Sequence, residues 1–204
     1  MPSTHAVIYA EPGADPAIDR IVSGDGERKT VFVALPDHST ADRVAVGLVE
    51  EGVEAIELCG GMGPLPAAKV IEAVGDRVPV GLVNFGVESV TGAAAFKARA
   101  EQGEPIVAAF IYLEANADPQ RDRVVSEPGS ARTLFVPVPD ESSAARVAAE
   151  LVENDGVQLV ELYRGIGPVA AAKAIEAVGG RVPVGSVLYA PQRRWRPGDQ
   201  AQAA

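Results

Sequence analysis

TVFVALPDHSTADRVAVGLVEEGVEAIELCGGMGPLPAAKVIEAVGDRVPVGLV, from Thr30 to Val83, decides how this chain is read, because it occurs twice. TLFVPVPDESSAARVAAELVENDGVQLVELYRGIGPVAAAKAIEAVGGRVPVGSV runs from Thr133 to Val187. About 34 of 55 aligned positions are identical, with one residue inserted near Asn154. The likeness reaches further back, since HAVIYAEPGADPAIDRIVS from His5 aligns with VAAFIYLEANADPQRDRVVS from Val107. Tyr9 and Glu11 return there as Tyr112 and Glu114. A match of this length is a duplication. The chain reads as a first unit over 1–92, a linker helix over 93–106, a second unit over 107–192 and a tail over 193–204.

Each unit carries the same periodicities. A short apolar run, Ala6–Ala10 or Ala108–Leu113, reads as a strand. Two β-rich runs separated by turn residues then read as a hairpin: Arg20–Ser23 and Thr30–Leu35 around Gly24-Asp25-Gly26, and Arg123–Ser126 and Thr133–Val138 around Pro128-Gly129. A short helix over Pro16–Val22 is the alternative; the β-branched pair Val124-Val125 favours the hairpin. Ala41, Val44, Ala45, Leu48 and Val49 share one helical face, with Ser39 as the expected N-cap and Asp42 three residues on. A strand over Ala55–Cys59 leads through a glycine-rich turn into a helix that starts near Pro64, with Ala67, Ile71 and Val74 facing inward. An apolar strand, Val78–Val83, closes the unit. The fold class is therefore α/β, as two tandem β-β-β-α-β-α-β repeats with mixed, mainly parallel sheets. A compact pair of β/α half-barrels is the second choice, because a complete eight-fold barrel usually needs about 250 residues.

Composition narrows the function. The net charge of −10 argues against a nucleic-acid-binding body. No run approaches the roughly 18–20 apolar residues of a spanning helix, so no membrane partner is expected. MPSTHAVIYAEPG lacks the basic and apolar regions of a secretory leader, and the single cysteine, Cys59, suits a reducing cytoplasm. Arg193, Arg194, Trp195 and Arg196 give the tail a basic, aromatic character.

Chemistry concentrates at Glu57-Leu58-Cys59-Gly60-Gly61-Met62-Gly63-Pro64. This is the carboxyl end of a parallel strand opening into a helix, where α/β sheets place ligands. Glycines let a ligand approach the backbone, and free N–H groups at a helix start suit an anion. Gly60, Gly61 and Gly63 are therefore ligand-binding candidates for a small anionic metabolite. Glu57 and its counterpart Glu161 are charged positions in apolar strands, fit for acid–base chemistry or for a structural bond. Cys59 could act as a nucleophile at the helix start, with His38 as its base. The bland readings are a small buried apolar residue and a surface histidine. Asp37, Tyr9 and Glu11 also end strands and join the candidate cluster. Arg164 stands where the first unit has Gly60, so the second unit either lost the site or binds a different anion. No spacing indicates a metal or names a cofactor.

I-E-L-C-G-G-M-G-P followed by A-A-K-V-I-E-A-V-G-D-R-V-P-V-G resembles the family called domain of unknown function 6506. The resemblance covers both units and implies a tandem fusion of a single-unit protein. Residues 57–64 match its ELCGG-x-GP signature, and the second unit departs at Tyr163 and Arg164. The family name implies no activity. Two functions stay open: binding of a small anionic metabolite, with or without catalysis, and a non-catalytic assembly module formed by a fused pseudo-dimer. Duplication commonly replaces a two-fold homodimer, and further homo-oligomers stay open.

Overall fold

The computed structural model describes residues 3–24 and 27–189. The basic tail and the Asp25-Gly26 part of the first hairpin turn lie outside the described residues. The first unit runs β1 (Ser3–Ala10), β2 (Arg20–Gly24), β3 (Arg28–Leu35), a 3-10 turn (His38–Thr40), α1 (Ala41–Glu50), β4 (Ala55–Leu58), α2 (Pro64–Val74) and β5 (Val80–Phe85). After α3 (Val87–Glu101) come β6 (Ile106–Leu113), β7 (Val124–Ser126), β8 (Ala131–Val138), α4 (Glu141–Asn154), β9 (Leu159–Tyr163), α5 (Pro168–Val178) and β10 (Val184–Tyr189). The β-β-β-α-β-α-β order holds in both units, and the hairpin stands where a short helix was the alternative.

The strands form one sheet rather than two, in the order β2-β3-β1-β4-β5-β10-β9-β6-β8-β7. The order reads the same from either edge once each strand is exchanged for its repeat. Within each half, β1, β3, β4 and β5, or their counterparts, are parallel, and the hairpin strand at the edge is antiparallel. The halves meet at an antiparallel seam between β5 and β10, with Gly185 opposite Phe85 and Gly81 opposite Tyr189. A β-carbon on Gly81 would stand 2.4 Å from a Val187 methyl and 3.2 Å from the Tyr189 ring. The glycine of each RVPVG run thus makes room for an aromatic ring on the facing strand.

The sheet curls until its two halves face each other. β3 and β8 are seven strand spacings apart, roughly 34 Å on a flat sheet. Yet the Phe32 and Phe135 rings lie 4.7 Å apart. Tyr9 packs edge-on against Phe110 at 5.7 Å, and Phe32 against Tyr112 at 4.9 Å. Helices cover the outer surface: α1 buries Ala41, Ala45 and Leu48, and α2 buries Ala67, Val70 and Val74. Ile71 faces outward instead, with Val70 taking its place on the packed face. The helix cap also differs from expectation. Asp37 accepts from the Ser39 amide and starts the 3-10 turn, so the chain is capped two residues earlier than Ser39. Asp140 does the same for α4 through Ser143. α3 packs across one end of the curled sheet, against β5, β6 and β9. Its Gly92 abuts Pro183, and Ser89 accepts from the Val184 amide at 3.1 Å.

Two alanine substitutions test this packing. Gly47 lies inside α1 with nothing within 4 Å of its β-carbon position. Gly47→Ala should raise stability by about 0.5–1 kcal/mol. Gly185→Ala would set a carbon 2.7 Å from Val83 and 2.9 Å from Phe85. It should lower stability by about 1–3 kcal/mol. Urea denaturation reads both changes, and a Gly185→Ala protein as stable as its parent would contradict the seam geometry.

Candidate functional site

The two acidic strand positions are used reciprocally. Glu57 on β4 accepts from the Arg164 amide at 2.9 Å, and Glu161 on β9 accepts from the Gly60 amide at 3.0 Å. Each carboxylate therefore holds the turn of the other unit. Alternation along the strand points both into the closed inner face, where Glu57 is 0% and Glu161 3% exposed. A second donor completes each cluster. The Tyr189 hydroxyl reaches Glu57 at 2.5 Å, and the Tyr163 hydroxyl donates to Glu161. The aligned positions of these tyrosines in the first unit hold Cys59 and Phe85, so both phenols come from the second unit, one from β9 and one from β10.

Burial dominates the electrostatics. It pushes the Glu161 carboxyl from 4.5 up to about 7, against the opposing pull of the Tyr163 hydroxyl and the Gly60 amide. Glu57 is raised for the same reason, countered by Tyr189 and the Arg164 amide. Cys59 is buried beside Glu161, and desolvation followed by that charge pushes its thiol up to about 12. This is the opposite of an activated nucleophile.

One cavity of about 550 Å³ opens at this end of the sheet. The β5–β10 seam is antiparallel, so the carboxyl ends of β1 and β4 meet the amino ends of β6, β8 and β9 here. α3 forms the remaining wall with Ala93, Ala94, Phe96 and Ala100. The walls are mainly apolar, and Glu161, Cys59, Thr133 and Tyr9 are the side chains with polar atoms set into them, with Lys97 from α3 beside them.

Of the sequence candidates, Tyr9, Cys59, Gly60, Gly61, Gly63 and Glu161 come together around this cavity. Glu57 is turned to the other unit, and Glu11 meets the Ser126 hydroxyl across the inner face at 3.3 Å. His38 sits half-buried on the 3-10 turn and is not part of the wall, so no Cys–His–Glu group is assembled. Asp37 is a capping group, exposed and away from the cavity. Arg164 lines a different cavity at the opposite end.

The turn is a poor anion cradle for reasons of donor count. The Gly60 N–H is held by Glu161, and the Met62 N–H by the Cys59 carbonyl. α2 begins Pro64-Leu65-Pro66, so two of its first three residues have no N–H at all. A carboxyl group also faces the space an anion would enter. Pro66 was legible in the sequence as a missing donor. The α3 wall was signalled by Gly92-Ala93-Ala94-Ala95, a run of small residues that lets a helix approach closely.

Substituting Glu161 tests its burial. A carboxyl whose folded pKa is raised stabilises the fold fully below about 4.5, and the contribution is lost as pH climbs through about 7. His5, held down to about 4 by burial, acts in the opposite sense, its contribution being lost as pH falls. The difference between parent and Glu161→Gln isolates the carboxyl. That difference should change by about 3 kcal/mol in the variant's favour from about pH 4.5 to about pH 8. Unfolding curves showing a pH-independent difference would refute this.

No curated protein matches the chain. Among solved structures, a carbohydrate transporter from Acidothermus cellulolyticus 11B in complex with myo-inositol is 18% identical, with 91% of this chain and 74% of that one covered at a TM-score of 0.31. AraP, an arabinose binding protein from Geobacillus stearothermophilus, is 12% identical, covering 90% and 74% at 0.31. An NtrC family transcriptional regulator from Clostridium acetobutylicum is 14% identical, covering 94% and 90% at 0.30. Scores of this size carry no argument about ligand or activity. The model of a family of unknown function, DUF6506, matches residues 3–98 and again 106–198. The chain thus belongs to that family and carries its unit twice in tandem.

Proposed function

We propose that this protein binds one small, mainly apolar molecule bearing a hydrogen-bond donor in the cavity beneath α3. The cavity itself carries this reading. Its volume of about 550 Å³ falls within the roughly 300–1,000 Å³ usual for ligand sites, and its apolar walls surround one buried carboxyl. Glu161 already accepts from Gly60 and Tyr163. A carboxylate offers about four acceptor positions, which leaves capacity for a ligand N–H or O–H. Apolar contact supplies the affinity, and Glu161 orients the ligand. An anionic metabolite is disfavoured here, because it would meet that carboxyl rather than free amides. Cys59 acts in this reading as a polarisable wall group, protonated at neutral pH.

The crossed Glu57 and Glu161 bonds favour a second reading, a non-catalytic assembly module, because they hold the two units together whether or not a ligand enters. N-phenyl-1-naphthylamine separates the two: it is neutral, apolar, carries one N–H and becomes fluorescent in apolar sites. Saturable one-to-one binding is expected, weakened about tenfold or more in Ala93→Trp, which fills the cavity from α3. An unchanged melting temperature in the variant excludes unfolding as the cause. Absence of binding, or equal binding by Ala93→Trp, would overturn the ligand reading and leave the assembly one.

A further inference from the structure

The opposite end of the curled sheet holds a second cavity, of about 410 Å³. Its walls are the amino ends of β1 and β3, the carboxyl end of β6, and the loops after β8 and β9. By strand order it is the counterpart of the cavity beneath α3, yet its chemistry is different. Charged and polar groups dominate it.

Arg164 is the central feature. It adopts a φ of 59°, a left-handed backbone that side chains other than glycine, asparagine and aspartate rarely take. The aligned residue of the first unit is Gly60, so neither the repeat nor the turn demands an arginine. Glu57 fixes the Arg164 amide at 2.9 Å, which anchors the backbone beneath the side chain. The guanidinium then lines the cavity with its Nη1 buried and without a hydrogen-bond partner among the described residues. His5 lines the same space, and its Nδ1 is likewise buried and unpartnered. Buried polar groups without partners are rare and call for one. An acceptor placed between Arg164 and His5 would satisfy both.

The same cavity carries the opposite sign. Glu114, Asp140 and Glu141 line it as well. Asp140 is engaged as the α4 cap, and Glu114 accepts from the Ser23 hydroxyl at 2.5 Å. Arg28 adds a second guanidinium to the lining, so a simple anion would meet three carboxylates beside the two arginines, and a simple cation would meet both guanidinium groups and leave the Arg164 nitrogen unsatisfied. We infer that this second cavity binds a small zwitterion of the free amino-acid class, its carboxylate on Arg164 and His5 and its ammonium group on Glu114 and Glu141. The site is independent of the apolar cavity beneath α3.

The full chain is titrated calorimetrically with each of the twenty free amino acids, with succinate and putrescine as anion-only and cation-only probes. At least one amino acid should bind one-to-one and raise the melting temperature, and neither single-sign probe should match it. Arg164→Gly should weaken that binding about tenfold or more. The variant restores the residue of the first unit and removes the left-handed strain, so its melting temperature without amino acid should equal or exceed the parent's. Loss of binding then reports the guanidinium and not the fold. Ala93→Trp, at the other end, should retain amino-acid binding, which separates failure of one site from failure of the other. No amino acid bound, succinate or putrescine bound as tightly, or undiminished binding by Arg164→Gly would each overturn the assignment.

Discussion

Glu57 of the first unit holds the amide of Arg164 in the second, and Glu161 of the second holds the amide of Gly60 in the first. Both carboxyl groups are buried, and each has a tyrosine hydroxyl beside it. Hydrogen bonds to a charged group contribute about 1.5–3 kcal/mol, and a buried amide left alone costs a similar amount. The polar groups of the interior are thereby balanced in pairs that cross the molecule. The same crossing brings Glu161 into the cavity wall beside Gly60, where a β-carbon would stand 2.8 Å from its oxygen. Glycine at position 60 is therefore a condition of this contact.

The seam and the curl follow from small residues placed opposite large ones. Gly81 and Gly185 let Tyr189 and Phe85 lie across the β5–β10 pair, and this pair makes two half-sheets into one. Closing the sheet then buries the Tyr9, Phe32, Phe110 and Phe135 rings against one another, two from each unit. Edge-to-face ring contacts of this kind contribute about 0.5–1.5 kcal/mol each beyond the area they bury. The antiparallel seam also sets which strand ends meet. Each end of the curled sheet combines carboxyl ends of one unit with amino ends of the other, and both cavities lie at such a junction.

Element order was legible in the sequence because hydrophobic periodicity of 2 and 3.6 alternates cleanly along both copies. The continuous sheet was not, since nothing in one repeat says what its last strand pairs with. The glycine shared by both RVPVG runs was the available sign. The acidic strand positions were visible as anomalies, but their role depends on amides 101 and 107 residues away. Short-range spacing cannot report such a bond. The side-chain cap lies at Asp37 and not at Ser39 because both residues are competent caps and a 3-10 turn precedes α1. The glycine turn borders a cavity for a reason that its spacing does not report. Gly60 serves the approach of Glu161 and Phe85, Gly63 takes a left-handed φ of 67° ahead of α2, and a cavity forms beside the turn once α3 crosses the end of the sheet.

A carboxylate that grips a main-chain N–H is indifferent to the side chain attached to it. Glycine and arginine present the same amide, so position 60 and position 164 were released from the need to stay alike once both copies shared one polypeptide. A symmetric pair of separate molecules has no such latitude, because every change in one turn appears in both. Fusion converted two equivalent ends into two that vary independently, and the protein uses this freedom to be greasy at one pole and charged at the other.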